Sequence, residues 1–188
     1  MRLSSKNLDR GFTLIELLIS VAVFSVVIMI SLGAVVSILD SGRKARALTA
    51  VMTNINFTLE VLSREMKSGT NFYCGIDTAV PHSSTRNCTG SSNPPENSIT
   101  FTTSLGDSVI YRLNNNQIEK SVNGGGYIGV TSPEILVEML EFYVIGSTAG
   151  DSLQPRVFMR TRGYAGTKPS IQSRFFIQTV LSGRILDV

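Results

Sequence analysis

The chain is poor in the residues that build metal and catalytic sites. Its 188 residues include one histidine, His82, and two cysteines, Cys74 and Cys88. This inventory excludes the common zinc motifs with several cysteines, and no pair of carboxylates stands at a recognisable catalytic spacing. The sequence therefore predicts no metal site, no cofactor and no enzymatic activity.

A glycine-rich run at residues 124–129 fits the pattern G-x-G-x-x-G of dinucleotide-binding proteins. In those proteins the run opens a helix whose N-terminus receives the pyrophosphate. Here the run is followed by Val130, Thr131, Ser132 and Pro133, which open no helix. We interpret the run as a turn.

Charged residues are also scarce, at 16% of the chain, and the net charge is only +3. Three basic residues and one acidic residue in the first eleven positions supply +2 of that charge. The other 14 basic and 13 acidic residues nearly cancel, so overall charge is weak evidence for a nucleic-acid partner of the mature chain.

Residues 12–39 form a long apolar stretch without proline and with a single charged residue, Glu16. As a helix this stretch would measure roughly 42 Å, more than the ~30 Å hydrocarbon core of a membrane. A secretory signal peptide has a shorter apolar region that ends at a small-residue cleavage site. We therefore predict a hydrophobic transmembrane helix over residues 12–39. Basic residues on both sides leave its orientation open.

Beyond Asp40 the apolar residues recur at intervals of three and four, as on one side of a helix. No proline interrupts this pattern, and Gly69 offers a C-terminal stop, so one continuous helix from about residue 12 to 67 is predicted. The stripe is either a coiled-coil seam with a partner helix or a surface that packs on the protein's own sheet. The second is favoured because flanking positions lack the charge pairs that specify coiled-coil partners. The stripe consists of Ala45, Leu48, Met52, Ile55, Leu59, Leu62 and Met66.

Residues 74–98 are rich in Ser, Thr, Asn, Gly and Pro, which predicts a surface loop. Cys74 and Cys88 lie within it. A disulfide between them would close a loop of about 15 residues, worth on the order of 3 kcal/mol, provided that the domain lies outside the cytoplasm. His82 lies between the two cysteines, and a single loop histidine of this kind is predicted to be solvated.

The C-terminal half has the short alternating segments and tight turns of antiparallel strands. Strands are predicted at residues 98–103, 108–113, 117–122, 135–145, 156–162 and 171–181. Such a sheet needs a cover for its apolar face, which the helical stripe can supply. The predicted fold class is therefore α+β, with a long N-terminal helix packed on a C-terminal antiparallel sheet.

A basic patch is predicted on two of these strands. Arg156, Arg160 and Arg162 alternate onto one face with an aromatic residue between them, and Arg174 shares a face of the next strand. Basic and aromatic side chains side by side are typical of proteins that bind single-stranded nucleic acid. The alternative is the solvated face of an antiparallel sheet, which is often basic, and this alternative is favoured.

The segment RGFTLIEL, from Arg10 to Leu17, closely resembles the N-terminal signature of type IV prepilins and type II secretion pseudopilins. The match consists of a basic leader, a glycine, a phenylalanine and a glutamate at the fifth mature position, followed by an apolar run. The predicted pilin-like architecture extends the resemblance over the whole chain.

The resemblance implies three segments: a prepilin leader at 1–11, a transmembrane and filament-core helix at 12–39, and a globular domain at 40–188. Prepilin peptidase would cut after Gly11 and methylate the new amine of Phe12. A residue without a side chain at Gly11 suits close approach of the backbone to the protease. The leader would lie in the cytoplasm, the helix in the inner membrane, and the C-terminal domain outside the cytoplasm.

The resemblance also gives Glu16 a role. An unpaired carboxylate is costly in lipid or in a helical core, so it should be paired or protonated. In the family its partner is the Phe12 amine of an adjacent subunit, which sets the axial register of assembly. The implied partners are other pilin or pseudopilin subunits, the inner-membrane assembly platform, and lipid before assembly.

The absence of proline from the hydrophobic helix and the size of the body favour a minor subunit, similar to the PilW or J-type pseudopilin kind. The alternative is a membrane-tethered pilin-like binding module that never polymerises. A DNA-binding role in competence, through the arginine patch, is a further alternative.

Overall fold

A computed structural model describes residues 11–90, 92–148, 150–151, 153–166 and 172–183. These residues form one long helix followed by strands that pair only in antiparallel fashion, which confirms the predicted α+β, pilin-like class. The elements are α1 Leu14–Lys67, β1 Thr70–Cys74, β2 Ser98–Thr102, β3 Ser108–Asn114, β4 Gln117–Val122, β5 Ile128–Gly129, β6 Ile135–Ile145, β7 Arg156–Ala165 and β8 Ser173–Ser182.

Local turn chemistry explains why the predicted strands form close to their predicted bounds. Asn114 pairs with Gln117, so only Asn115 and Asn116 connect β3 to β4, and both have positive φ angles. Two such residues make the tight turn that suits the twist of a hairpin, and asparagine tolerates this conformation. The predicted strand at 171–181 appears as β8, and residue 171 lies outside the described residues.

The prediction of a single sheet is wrong, because the strands form two sheets. The first has the order β1-β2-β3-β4-β5 and the second has the order β6-β7-β8. The short strands β1 and β5 were not predicted from the sequence. The chain between β1 and β2 joins the sheets: Arg86 bridges to β1, whereas Cys88 and Glu96 bridge to β6. Sequence periodicity marks strands but does not say which sheet a strand joins.

The chain divides between Gly42 and Arg43 into two compact units, and the second holds the eight described strands and their core. In this unit α1 packs its buried side chains against both sheets, whose core residues include Phe101, Tyr111 and Phe142. The packing agrees with the favoured interpretation of the helical stripe. The buried helix residues are Val51, Ile55, Thr58, Leu62 and Met66.

The predicted composition of that stripe is partly wrong. Leu48 and Met52 are 44% and 53% exposed, whereas Val51 and Thr58, predicted to flank the stripe, are buried. The predicted intervals of three and four average 3.5 residues, but a straight α-helix has 3.6 residues per turn and drifts about 20° per heptad from that repeat. The buried surface therefore follows a different line along α1.

A polar latch links α1 to the first sheet near the end of the helix. The buried Tyr111 hydroxyl donates a hydrogen bond of 2.8 Å to Glu65 Oε2, and Lys120 Nζ pairs with Glu65 Oε1. Burial and the neighbouring carboxylate raise the pKa of Tyr111 well above its usual range. The helix thus meets the sheet through both apolar packing and a hydrogen-bonded carboxylate.

The predicted surface loop at residues 74–98 is mostly exposed or half-buried where the structure describes it, but three of its side chains lie inside the domain. Cys74, His82 and Cys88 are all buried. His82 was expected to be solvated, but its Nδ1 lies 3.0 Å from Asp77 Oδ2 and its Nε2 lies 2.8 Å from the Asn71 carbonyl oxygen. These partners replace the water that a buried imidazole loses. The segment covers sheet edges instead of projecting from them.

Candidate processing and assembly site

The predicted cleavage position lies immediately before the helix. Gly11 and Phe12 are exposed and precede α1, which begins at Leu14. No described atom outside the neighbouring residues lies within 4 Å of where a Cβ of Gly11 would stand. The peptide bond between Gly11 and Phe12 is therefore accessible and free of helical hydrogen bonds. The rest of the predicted leader, residues 1–10, lies outside the described residues.

Thr13 starts the helix, a role that the sequence analysis missed. Its carbonyl oxygen accepts hydrogen bonds from the backbone amides of Glu16 and Leu17, and its hydroxyl oxygen lies 3.4 Å from the Glu16 amide. A threonine followed three residues later by glutamate is the sequence pattern of a capping box. The cap could have been found from the sequence, and it places Glu16 in the first turn of α1.

Glu16 is the single charged side chain among the described residues that precede Asp40. It is exposed, and its carboxylate has no hydrogen-bond or ion-pair partner within the described part of the chain. A negative charge near a helix N-terminus is stabilised by the helix dipole. That interaction leaves the carboxylate oxygens available to a second molecule.

The helix after Glu16 presents apolar side chains on all sides. Nineteen large apolar side chains between positions 12 and 39 are at least 40% exposed, and the helix is long and apolar enough to cross a membrane. Burying a large apolar side chain is worth about 1.5–3 kcal/mol, so covering this surface is worth tens of kcal/mol. Such a surface requires lipid or other helices around it.

The polar side chains within this stretch are compatible with an apolar environment. Ser20, Ser25 and Ser31 each donate a hydrogen bond of 2.8 Å to the carbonyl oxygen four residues earlier. Satisfying a hydroxyl on the helix itself removes much of the cost of burying it. The sequence analysis also missed these bonds. They could have been expected, because a serine hydroxyl in a helix can reach the carbonyl oxygen four residues earlier.

Residues 6–32 match the family model described as the prokaryotic N-terminal methylation motif. No curated protein and no solved structure matches the chain. The motif, the apolar helix and the α+β fold fit a type IV pilin-like protein. The motif implies processing by prepilin peptidase, membrane anchoring and assembly with other pilins. Because the match ends at residue 32, it supports this class but points to no particular member of it.

The two cysteines meet at the junction of the sheets. Cys74 and Cys88 form a disulfide, with Cα atoms 5.9 Å apart. Cys74 ends β1, and the backbone amide of Cys88 donates a 3.0 Å hydrogen bond to the Val144 carbonyl of β6. The disulfide therefore ties the segment that covers the sheet edges to the core.

The structure places all four predicted arginines on the outer face of the second sheet, with Arg156 and Arg174 at opposite ends, and it also supplies carboxylates. Arg160 pairs with Glu141, and Arg162 Nε lies 3.5 Å from Glu138 Oε2. The hydrogen bond to Glu141 raises the pKa of Arg160 above its ordinary value. Sequence analysis missed both carboxylates because they come from β6, whose pairing with β7 is a tertiary feature.

Arg156 and Arg174 have no carboxylate partner within the described part of the chain. Two of the four arginines are therefore offset by acidic neighbours, which halves the local positive charge. An ordinary polar sheet face has this mixture of charges.

Proposed function

We propose that the chain is a structural minor subunit of a type IV pilus or of a type II secretion pseudopilus, without enzymatic activity or cofactor. The observation that carries the proposal is the accessible Gly11–Phe12 bond directly before a helix whose first turn holds Glu16. A long apolar surface that needs other helices or lipid supports the same conclusion.

In this proposal prepilin peptidase cleaves after Gly11 and methylates the amine of Phe12. Phe12 is 79% exposed and precedes the first helical residue, so its new amine is a free terminus rather than part of the helix. The absence of described atoms around the Cβ position of Gly11 supports close approach of a protease to the backbone.

Before assembly, residues 12–39 anchor the chain in the bacterial inner membrane with the leader in the cytoplasm and the strands outside it. The Cys74–Cys88 disulfide supports this orientation, since disulfides persist in oxidising compartments. During assembly the helix leaves lipid and packs among the helices of other subunits on the inner-membrane platform. Glu16 then pairs with the Phe12 amine of an adjacent subunit, which compensates the buried carboxylate.

A minor subunit of the PilW or J-type pseudopilin kind is favoured over a major one. The apolar part of α1 contains no proline, and the body after it carries eight described strands in two sheets. Glu16 is present, so the subunit is equipped to join the helical stack.

Substitution at the cleavage position tests the proposal. Gly11→Ala is expected to leave full-length chain, whereas Gly33→Ala is the matched control, because both glycines have open space around the Cβ position. Intact-mass measurement of the membrane fraction should show the wild type and Gly33→Ala without residues 1–11 and with one added methyl group. Cleavage of Gly11→Ala at the wild-type rate would refute the assignment.

The second candidate is a membrane-tethered module that binds DNA, as in competence. It is favoured by one observation, the pair of unneutralised arginines, Arg156 and Arg174, on a face that also carries Phe158 and Phe176. Replacing Arg156 and Arg174 with Ser should weaken binding to single-stranded DNA and flatten its salt dependence. The matched pair Arg160→Ser and Arg162→Ser should have a smaller effect, since these side chains face carboxylates. Equal binding by all variants would end this candidate.

A further inference from the structure

The described strands leave one long sheet edge without a backbone partner. The outer side of β1 is covered by Arg86, which exchanges hydrogen bonds with Phe72 and Cys74. The outer side of β6 is covered at Val144 by Cys88 and at Phe142 by Glu96. The edge strand β5 has only two residues. This leaves β8.

All ten residues of β8 pair with β7 on its inner side, without any shift of register. On its outer side no described residue pairs with its backbone. Near the start of the strand Ser173 Oγ donates to the Lys44 carbonyl, and just beyond its end the Gly183 amide donates to the Pro155 carbonyl, which continues the pairing with β7. Among the described residues, a row of backbone donors and acceptors along the outer side of β8 is therefore without a partner.

β8 also lacks the features that protect an edge strand from pairing. It contains no proline, no lysine and no bulge, and its single charged residue is Arg174. Phe176 and Val180 are 57% and 55% exposed on the face of the sheet that points away from the core. Ile177, on the face that points toward the core, is half-buried. A long, regular and apolar edge of this kind is a template for another strand. An added strand would cover these side chains.

A second copy of this chain does not fit this edge. The β8 strand of a second copy would offer no carboxylate to Arg174, because β8 contains no acidic residue. Copies that share one orientation would need a second long free edge, which the described strands do not provide.

We infer that the outer edge of β8 pairs with an extended strand of a different pilin-type subunit, an inference that rests on the proposed assembly function. The side chains of β8 predict which residues the partner strand should have. It carries two apolar side chains four residues apart, which face Phe176 and Val180, and an acidic side chain at the position that faces Arg174. The subunit thus recruits its neighbour through its sheet as well as through its helix.

Site-specific photo-crosslinking in the full-length chain, in the host membrane, tests this pairing. Benzoylphenylalanine is placed in turn at Phe176, Gln178 and Val180, and at Phe158 as the matched control. Phe158 lies on the same face but on the middle strand, directly opposite Val180. The three edge positions should crosslink to one segment of another protein with a prepilin motif, at residues that step by two. Phe158 should crosslink far less.

Gln178→Lys and Val180→Lys provide the perturbation. Both side chains are exposed, so the fold is retained, but a lysine on the edge opposes strand addition. These variants should lose the crosslinks from Phe176, whereas Phe158→Lys should keep them. Circular dichroism of each purified variant verifies folding.

Three results would overturn the inference: crosslinks to a second copy of this chain, partner residues that do not step by two, or equal yields from Phe158 and the edge positions. The same samples are scored for cleavage after Gly11 and for presence in sheared filaments. A cleaved and incorporated chain without the crosslinked ladder refutes the strand pairing alone. A chain that is neither cleaved nor incorporated refutes the proposed function, and the crosslinks in its membrane fraction then decide the strand pairing separately.

Discussion

Removing the carboxylate of Glu65 should destabilise the domain much more than removing an exposed carboxylate of the same helix. Glu65→Ala leaves the hydroxyl of Tyr111 without an acceptor in a position where that residue is fully buried. It also leaves Lys120 without its carboxylate partner. The matched control is Glu60→Ala, because Glu60 pairs with Arg64 on the exposed side of α1.

The magnitudes follow from burial. An orphaned buried hydroxyl costs about 1–3 kcal/mol. The Lys120 head group keeps access to water, so its loss of a partner adds no more than about 1 kcal/mol. We therefore expect a loss of about 1–4 kcal/mol for Glu65→Ala. The exposed pair in the control is worth about 0.3–0.5 kcal/mol.

The assay is urea unfolding of the detergent-solubilised chain, followed by near-ultraviolet circular dichroism. Tyr111→Phe alone should cost about 1 kcal/mol, since it removes the donor and leaves Glu65 paired with Lys120. The loss of stability in the double variant should be about 1 kcal/mol smaller than the sum of the two single losses. The reason is that each single change already removes the same Tyr111–Glu65 hydrogen bond. Strict additivity, or a loss for Glu65→Ala no larger than that for Glu60→Ala, would refute the role of the latch.

Three further predictions concern other parts of the chain. Glu16→Ala should permit cleavage after Gly11 but reduce N-methylation or incorporation into filaments, measured by intact mass and by shearing; unchanged filaments would remove the proposed role of Glu16. Gly69→Ala should cost about 1–3 kcal/mol on thermal unfolding, because its Cβ would lie 2.8 Å from Phe101 Cδ2 and 3.1 Å from the Thr102 carbonyl oxygen; the exposed Gly106→Ala tests strain without crowding. The backbone amide of Ala79 lowers the pKa of Asp77 below 3.8, so the carboxylate stabilises the fold above that pH and its contribution is lost as the pH falls further. In Asp77→Asn the free energy of unfolding should fall less at acid pH than in the wild type. An unchanged fall would contradict the stabilising role of the Asp77 carboxylate.

The helix and most strands were predictable because their signals are local. The apolar run and the absence of proline define α1, and alternation with tight turns defines β2, β3, β4 and β6 within one residue at either end. The strand β1 was hidden because it follows the helix after two residues and runs into a segment with loop composition. The strand β5 has too few residues to show any alternation.

The errors share a cause, which is contact between residues distant in sequence. Whether residue 52 or residue 51 of α1 is buried depends on the exact phase of the helix against the sheets. His82 is buried because Asn71 and Asp77 come to meet its ring. The positive charge of Arg160 is offset because Glu141 lies opposite it on β6. None of these partners is marked by spacing in the sequence.

By itself the sequence determined the processing and anchoring end of the protein. The roles proposed for Gly11, Phe12 and Glu16 rest on a motif about one helical turn long. The length and composition of the apolar run are enough to predict that lipid or other helices surround it. The tertiary structure alone decided the division into two sheets, the covering of their edges by Arg86, Cys88 and Glu96, and the edge of β8 that has no partner among the described residues. Those features depend on which strands meet, and the free energy of strand pairing comes from non-local contacts that a periodic pattern does not specify.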